Sequence, residues 1–332
     1  MSKLLLFYYN IAFLLFTFVL NLSFWKSLQR IKSHFVSMHP LHFINRLRFP
    51  SVEKILRSKL LQKNLPVKYK KNVQILNVQI DNFSMPELLS SLKEGFILTP
   101  NVDHLMKLQT DMEFLRIYSL ADYKVCDSQI LLFASHFLKT PFKQKISGSD
   151  LFPAFCEFHK DNQDIQIFLL GGIEGASEKA ADRINSKFGR NIIVEAYCPP
   201  FFFENNEQEC LKIINRINKS KATVLAIGVG APKQEKWIYK HKNNLPLVKI
   251  FMAIGATINF EAGVIKRAPK WVSNCGLEWL YRLACEPRRL WKRYLVNDLP
   301  FIWLILKQKL GFYKKPDFPA SIKLPYQMNK IQ

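Results

Sequence analysis

Apolar runs alternate with helix-like stretches through the middle of the chain, between residues 73 and 254. The runs are rich in β-branched and aromatic residues, which favour β-strands. They span residues 73–80, 95–98, 123–126, 165–170, 192–196, 223–229 and 248–254. Stretches of helical periodicity separate them, for example residues 177–188 and 207–218. This alternation predicts an α/β fold with a mostly parallel sheet covered by helices on both faces.

Functional residues are expected where these strands end, because open parallel sheets bind ligands outside the carboxyl ends of their strands. The second run leads into Thr99, Pro100 and Asn101, and the third ends at Asp127. Asn101 and Asp127 both suit the N-cap of a following helix, and capping alone would account for Asn101. The alternative role of Asp127 is that of a general base whose carboxylate projects into the cleft.

Closely spaced glycines follow the fourth run, at Gly171, Gly172 and Gly175. Such glycines let a backbone approach a phosphate group, whose charge is favoured at a helix N-terminus. The GGxxG pattern is weaker than the GxGxxG signature of dinucleotide-binding proteins. It therefore indicates a nucleotide in general rather than NAD.

Polar and basic residues at two further positions suit the same edge of the sheet. Gly230 permits a tight turn after the sixth run, and Lys233 and Gln234 then provide a cation and an amide. Lys145 precedes another helical stretch, where it would meet a phosphate group. A solvated loop lysine is the alternative interpretation of Lys145.

The charge of the chain favours an anionic partner. Lys and Arg number 48 against 26 Asp and Glu, which gives a net charge of +22. An excess of this size fits nucleic acid, anionic lipid or a phosphate-bearing substrate, and it does not choose among them. The six cysteines form no CxxC pair and no cluster with histidine, so the sequence predicts no zinc site and a reducing compartment.

The N-terminus carries an uncharged, mostly apolar segment at residues 4–25. About 21 helical residues reach roughly 31 Å, which is enough to cross the hydrocarbon core of a bilayer. Lys26, Arg30 and Lys32 follow closely, so the positive-inside bias places the rest of the chain in the cytoplasm. The segment either spans the membrane or lies in its interface. A cleaved signal peptide is disfavoured, because the run is long and no small-residue cleavage site follows.

Five segments are predicted along the chain. They are a hydrophobic anchor helix at 1–25, a basic juxtamembrane linker at 26–72, an α/β core at 73–265, a basic and aromatic C-terminal appendage at 266–315, and a tail at 316–332.

The order and spacing of the motifs resemble those of the WecG/TagA/CpsF family of bacterial glycosyltransferases. The resemblance covers the chain from about Val73 to Tyr294. It is carried by TPN at 99–101, AD-x4-D at 121–127, GSDL at 148–151, GGxxG at 171–175, GAPKQExW at 230–237 and a long C-terminal block at 267–290.

The resemblance implies a Rossmann-like core with a small helical C-terminal appendage. It implies inverting, metal-independent transfer of N-acetylmannosamine, or of its uronic acid, from a UDP-sugar donor. The implied acceptor is the polyprenyl-diphosphate-linked sugar N-acetylglucosaminyl-diphospho-undecaprenol, at the cytoplasmic face of the bacterial plasma membrane. No cofactor and no nucleic-acid partner are expected.

The resemblance also implies roles for individual residues. The proposed base of the family corresponds to Asp127, its active-site threonine and asparagine to Thr99 and Asn101, and a glutamine of its pocket to Gln234. The chain departs from the family in two places. Lys145 stands where the family usually has arginine, which keeps the charge but loses bidentate phosphate recognition. Ser128 follows the aspartate where glycine is usual, and both departures bear on the choice of donor.

The C-terminal block adds basic and aromatic residues. Without a DxD-like metal motif, cations must balance the charge of a leaving diphosphate, and Arg267, Arg282, Arg289 and Arg293 are candidates. The spacing of the last three puts them roughly on one helical face, although Pro287 indicates a break. The tryptophans of this block suit an interface with anionic membrane lipids, while solvated arginines and a tryptophan core are the alternative.

Two other functions remain open from the sequence. A nicotinamide-dependent oxidoreductase on a similar sheet requires a GxGxxG turn after the first strand, and the first turn here lacks these glycines. A non-catalytic membrane or nucleic-acid binding protein would depend on charge alone, and its binding would weaken steeply with salt.

Overall fold

A sheet of six parallel strands lies at the centre of the computed structural model, which describes residues 70–317. The predicted anchor helix, most of the predicted linker and residues 318–332 lie outside the described residues. Two compact units make up the described chain. One holds residues 70–267 and 307–317, and the other holds residues 268–306.

The order of the strands in the sheet is β4-β3-β8-β7-β5-β6, and each neighbouring pair is parallel. Including a separate hairpin, the strands are β1 (Asn72–Ile75), β2 (Val78–Asp81), β3 (Gly95–Leu98), β4 (Tyr123–Lys124), β5 (Ile167–Gly171), β6 (Ile193–Tyr197), β7 (Val224–Gly228) and β8 (Ile250–Ala253). Every residue of β5 and β8 is buried, so both faces of the sheet are covered at its centre. The predicted α/β fold with a mostly parallel sheet is therefore confirmed.

Helices separate the strands, as the sequence predicts. They are α1 (Met85–Ser91), α2 (Val102–Lys107), α3 (Met112–Leu120), α4 (Gln129–Phe137), α5 (Gly148–Phe158), α6 (Ala176–Phe188), α7 (Glu207–Ser220), α8 (Lys233–His241), α9 (Thr257–Glu261), α10 (Lys270–Asn274), α11 (Glu278–Cys285), α12 (Pro287–Lys292) and α13 (Pro300–Lys309). Phe152 and Phe155 of α5 and Ala176 and Ala180 of α6 pack in one buried cluster with alternate residues of the strands.

The prediction of one strand over residues 73–80 is wrong. The segment folds into the two-stranded antiparallel hairpin β1–β2, which is separate from the main sheet. Leu76 reverses the chain with a φ of 51°, and its buried side chain makes the turn look like part of an apolar strand. Gln308 holds the turn, because its Oε1 accepts the backbone N–H of Leu76 at 2.8 Å.

Residues 268–306 form the helical C-terminal unit. Ala268, Val272 and Tyr281 are buried together there, with Trp271 and Leu277 packed against them. Helices α11 and α12 meet at Pro287, and a five-residue π-helix, Arg293–Asn297, follows. No helix between residues 70 and 317 is both long enough and apolar enough to span a bilayer.

Candidate active site

Backbone hydrogen bonds bring the ends of β3 and β4 together. The N–H of Asp127 donates to the carbonyl of Pro100 at 2.9 Å, which places Asp127 beside the segment from Thr99 to Asn101. The N–H of Ile146 donates to the carbonyl of Cys126 at 2.7 Å, so Lys145 reaches the same place. Four of the predicted site residues thus converge at the carboxyl edge of the sheet.

Asp127 is half-buried and immediately precedes α4. The N-cap of that helix is Ser128, whose Oγ accepts the N–H of Leu131 at 3.2 Å. The prediction that Asp127 caps this helix is therefore wrong, because Ser128 is the N-cap. The pKa of the neighbouring Cys126 thiol is raised, chiefly by burial of the thiol and secondly by the negative charge of Asp127.

Thr99 is buried and Asn101 is half-buried at the start of α2. The Oδ1 of Asn101 accepts the N–H of His104 at 3.1 Å, so Asn101 does cap this helix. Capping leaves the amide nitrogen of Asn101 for other contacts. The cap also fixes the side chain at the sheet edge, so the structural role and a binding role are compatible.

A cluster of two cations and one carboxylate lies at the start of α5. Asp150 pairs with Lys145 at 3.5 Å and with Arg267 at 2.6 Å. Burial opposes ionisation of Asp150, but the Ser147 hydroxyl and the two cations outweigh it, so the pKa of this carboxyl is lowered. The start of α5 lies against the end of β8, because a Cβ on Gly148 would come 3.2 Å from the carbonyl oxygen of Ile254. The cluster therefore belongs to the same edge as Asp127.

Gly171 and Gly172 allow β5 to end against its neighbours. Gly171 has a φ of 116°, and a Cβ there would lie 2.7 Å from the carbonyl oxygen of Gly228 on β7. Gly172 has a φ of 84°, and a Cβ there would lie 2.9 Å from the side chain of Ile258. Close packing thus explains both glycines, whatever ligand the following turn receives.

Gln234 joins the ends of β7 and β8 with its side chain. Its Oε1 accepts the backbone N–H groups of Gly230 and Gly255, each at 3.2 Å. Its Nε2 donates to Oε1 of Glu235 at 2.8 Å. The predicted pocket glutamine is buried, and its hydrogen bonds hold the strand ends in place.

Glu235 is a residue of this edge that sequence reasoning missed. A glutamate in the first turn of a helix normally faces water and favours the helix dipole. Glu235 is instead fully buried, and burial raises its pKa to about 7. Its Oε2 has no hydrogen-bond partner within residues 70–317. No sequence signal separates it from an ordinary first-turn glutamate.

Lys107 connects the first strand ends to the turn after β7. Its Nζ donates to Asp103 Oδ2 at 2.7 Å and to the carbonyl of Ala231 at 3.0 Å. Asp103 is buried in the first turn of α2, two residues after Asn101. The Lys107 side chain therefore links α2, which follows β3, to the turn that follows β7. Nothing in the sequence singles out Lys107, because its second partner, Ala231, lies 124 residues further along the chain.

Lys233 begins α8 directly after this turn and has a half-exposed side chain. It pairs with Glu204 at 2.7 Å, and its Nζ lies 4.8 Å from the ring centre of Phe202. The loop after β6 therefore contacts the predicted cation and leaves it partly exposed.

The remaining predicted arginines lie in the helical C-terminal unit. Arg282 is on α11, Arg289 is on α12, and Arg293 begins the π-helix. Because Pro287 starts a new helix, the three residues do not share one continuous helical face, and the expected break is present. Arg289 pairs with Glu286 at 2.6 Å, and Arg293 lies 3.8 Å from Asp298.

No group of three or more His, Cys, Asp or Glu side chains in the described part of the chain is arranged to hold a metal ion. Cations, glycine turns and the half-buried carboxylates of Asp127 and Asp150 lie at this edge. This set of groups can bind a phosphate-bearing ligand and accept a proton.

Comparison with known proteins agrees with this geometry. Two Staphylococcus aureus proteins, from strains MRSA252 and NCTC 8325 / PS 47, are each 28% identical to the chain over 247 residues. The match covers 71% of this chain and 93% of each relative. Both are named N-acetylglucosaminyldiphosphoundecaprenol N-acetyl-beta-D-mannosaminyltransferase. The model of the Glycosyl transferase WecG/TagA/CpsF family matches residues 73–315, and the chain is therefore a glycosyltransferase of this family.

Proposed function

We propose that this glycosyltransferase moves N-acetylmannosamine, or its uronic acid, from UDP to N-acetylglucosaminyl-diphospho-undecaprenol in cell-surface polysaccharide synthesis. The names of the Staphylococcus aureus relatives support the acceptor and the sugar. The observation that carries the proposal is the convergence of Asp127 with the segment 99–101 at the carboxyl edge of the sheet.

The proposed reaction has one chemical step. A hydroxyl of the acceptor sugar attacks the anomeric carbon of the donor, a new glycosidic bond forms, and the bond from that carbon to UDP breaks with inversion. Asp127 accepts the proton that the hydroxyl loses. Thr99 and Asn101 orient the sugars beside it.

Cations of the chain replace a metal ion in this proposal. Lys145 and Arg267 lie together around Asp150, and Lys233 begins α8 after the turn that follows β7. Positive groups held where negative charge develops on the leaving diphosphate lower the barrier to transfer. For Arg282, Arg289 and Arg293 of the helical C-terminal unit, we propose binding to phosphate groups, either of the substrates or of anionic lipids.

The location of the enzyme is also part of the proposal. An acceptor on a polyprenyl chain is confined to a membrane, and the predicted anchor at 4–25 would hold the enzyme at the cytoplasmic face. The net charge of +22 supports attraction to anionic lipids, and no nucleic-acid partner is proposed.

The test is an assay of UDP release with purified protein, UDP-N-acetylmannosamine, the lipid-linked acceptor and a chelator of divalent metals. We expect turnover in the chelator and a loss of about 10²-fold to 10⁴-fold in Asp127→Asn, because the variant keeps the shape but cannot act as the base. Asp161→Asn is the matched control, because Asp161 is exposed in the loop before β5, at the opposite edge.

Each outcome separates one part of the proposal. Full activity of Asp127→Asn would remove Asp127 from the role of base. Turnover that requires an added divalent cation would contradict the metal-independent mechanism. Failure to use any UDP-sugar would exclude the proposed donor class.

A further inference from the structure

Two adjacent phenylalanines at the end of β6 project from the surface. Phe201 is 94% exposed and Phe202 is 66% exposed, whereas the next residue, Phe203, is buried. Exposing one large apolar side chain is ordinary, but two consecutive rings that are both mostly exposed are not. We call Phe201 and Phe202 the aromatic tip.

The base of the aromatic tip is anchored. Phe203 packs near Trp237, with ring centres 6.3 Å apart, and its carbonyl accepts from the Cys210 thiol at 3.4 Å. Phe202 has a φ of 63°, a conformation that residues with side chains adopt seldom. The anchored base and this backbone turn keep the two rings outside the core.

The aromatic tip belongs to the carboxyl edge of the sheet. The thiol of Cys198, at the start of this loop, donates to the carbonyl of Gly172 at 3.4 Å. Glu204, at its end, pairs with Lys233, the residue that follows the turn after β7. The loop therefore borders two of the turns that form the candidate active site.

We propose that the aromatic tip inserts into the interfacial layer of the membrane that carries the acceptor. The inference rests on the proposed function, because a lipid-linked acceptor requires this edge of the sheet to face a bilayer. Aromatic rings favour the interfacial layer of membranes. Because a chain with a net charge of +22 is attracted to an anionic surface, the proposed partner of the aromatic tip is an anionic bilayer.

The contribution of the aromatic tip is apolar rather than electrostatic. Lys233, which lies over the ring of Phe202, is already paired with Glu204, and Lys212, beside Tyr197 at the end of β6, is paired with Glu209. Contact made by the rings should therefore persist at high salt, whereas attraction due to the net charge should weaken.

The first experiment places an environment-sensitive fluorescent amino acid at position 201 of the full chain. Vesicles of phosphatidylcholine with phosphatidylglycerol are added at low and high salt. We expect a blue shift at position 201 that persists at high salt. The control position is Phe158, which is 50% exposed at the end of α5, on the opposite edge of the sheet, and should give no shift.

The second experiment measures transfer by Phe201→Ser and Phe158→Ser. We expect Phe201→Ser to raise the KM for undecaprenyl-linked acceptor in vesicles by about tenfold, because the contact with the membrane loses one large apolar side chain. Its KM for the donor and for a water-soluble, short-chain acceptor should not change. Phe158→Ser should match the unsubstituted protein with all substrates.

Several results would overturn the inference. One is an unshifted spectrum at position 201 when the protein is bound to vesicles. Another is a shift without vesicles that grows with protein concentration, which would assign the tip to contact between copies of the chain. An equal rise in KM for donor or short-chain acceptor would make the loop part of the substrate site. If no UDP-sugar is used at all, the proposed function fails while the fluorescence experiment still decides the membrane contact.

Discussion

Gln234 and Glu235 are neighbours in the sequence whose side chains bond to each other inside the protein, with Nε2 donating to Oε1 at 2.8 Å. The other end of the Gln234 amide accepts the backbone N–H groups of Gly230 and Gly255. Glu235 thereby orients the amide that joins the ends of β7 and β8. A glutamate in a helical first turn acts here as a buried support for the candidate active site.

Removing that support should destabilise the protein. Glu235→Ala deprives the Gln234 amide of its acceptor, and we expect the free energy of unfolding to fall by about 1–3 kcal/mol. Glu235→Gln keeps an oxygen at the same place and should lose less. Urea denaturation measures both. Equal losses of unfolding free energy in the two variants would show that the hydrogen bond to Gln234 does not account for the loss of stability.

The pH dependence of stability should identify Glu235 directly. Burial raises the pKa of its carboxyl from 4.5 to about 7, so the folded protein holds a proton that the unfolded chain releases. The contribution of Glu235 to the free energy of unfolding therefore falls as pH rises from 4.5 to about 7, and it is constant above that. The loss is on the order of 3 kcal/mol at most.

Denaturation of the unsubstituted protein and of Glu235→Gln at about pH 5 and about pH 8 checks this. Between these two pH values, the free energy of unfolding of the unsubstituted protein should fall relative to that of Glu235→Gln. The variant should therefore be relatively more stable at the higher pH. Parallel pH curves would mean that Glu235 does not titrate in this window.

Lys145 should contribute to donor binding through its charge. We expect Lys145→Met to raise the KM for the UDP-sugar by about tenfold, because a charge-assisted contact to a phosphate is lost. Lys145→Arg restores the residue usual in the family and should bind the donor at least as well as lysine. Steady-state kinetics decide the matter, with Lys160→Met, remote from the carboxyl edge, as control. A donor KM unchanged in Lys145→Met would return Lys145 to the role of a structural partner of Asp150.

Gly171 should tolerate no side chain. A Cβ at this position would lie 2.7 Å from a carbonyl oxygen of β7, on a backbone with a φ of 116°. We expect Gly171→Ala to cost about 3 kcal/mol or more. Gly189→Ala has a positive φ but open space around the new Cβ, and should cost about 1 kcal/mol. Thermal denaturation of the two variants compares steric crowding with backbone strain. Equal losses of stability would contradict a steric clash of the new Cβ at position 171.

Local patterns in the sequence determined the class of fold. Runs such as residues 224–228 and 250–253 are apolar on both faces because the central strands of a parallel sheet have no exposed side, so their composition alone marks them. Asn101 could be recognised as a helix cap because capping needs only a polar side chain and the next turn of backbone. The positions of the candidate site followed, since strand ends in such a sheet share one edge.

Tertiary structure alone decided how those residues are used. Arg267 shares Asp150 with Lys145 although 117 residues separate Arg267 from its partner, and no spacing rule predicts that pairing. The apolar run at 73–80 became a hairpin because its turn residue, Leu76, is itself buried. Glu235 acquired a pKa near 7 because the surrounding elements exclude water from it. Burial of a polar group depends on what packs over it, and that is a property of the folded chain rather than of its neighbours in sequence.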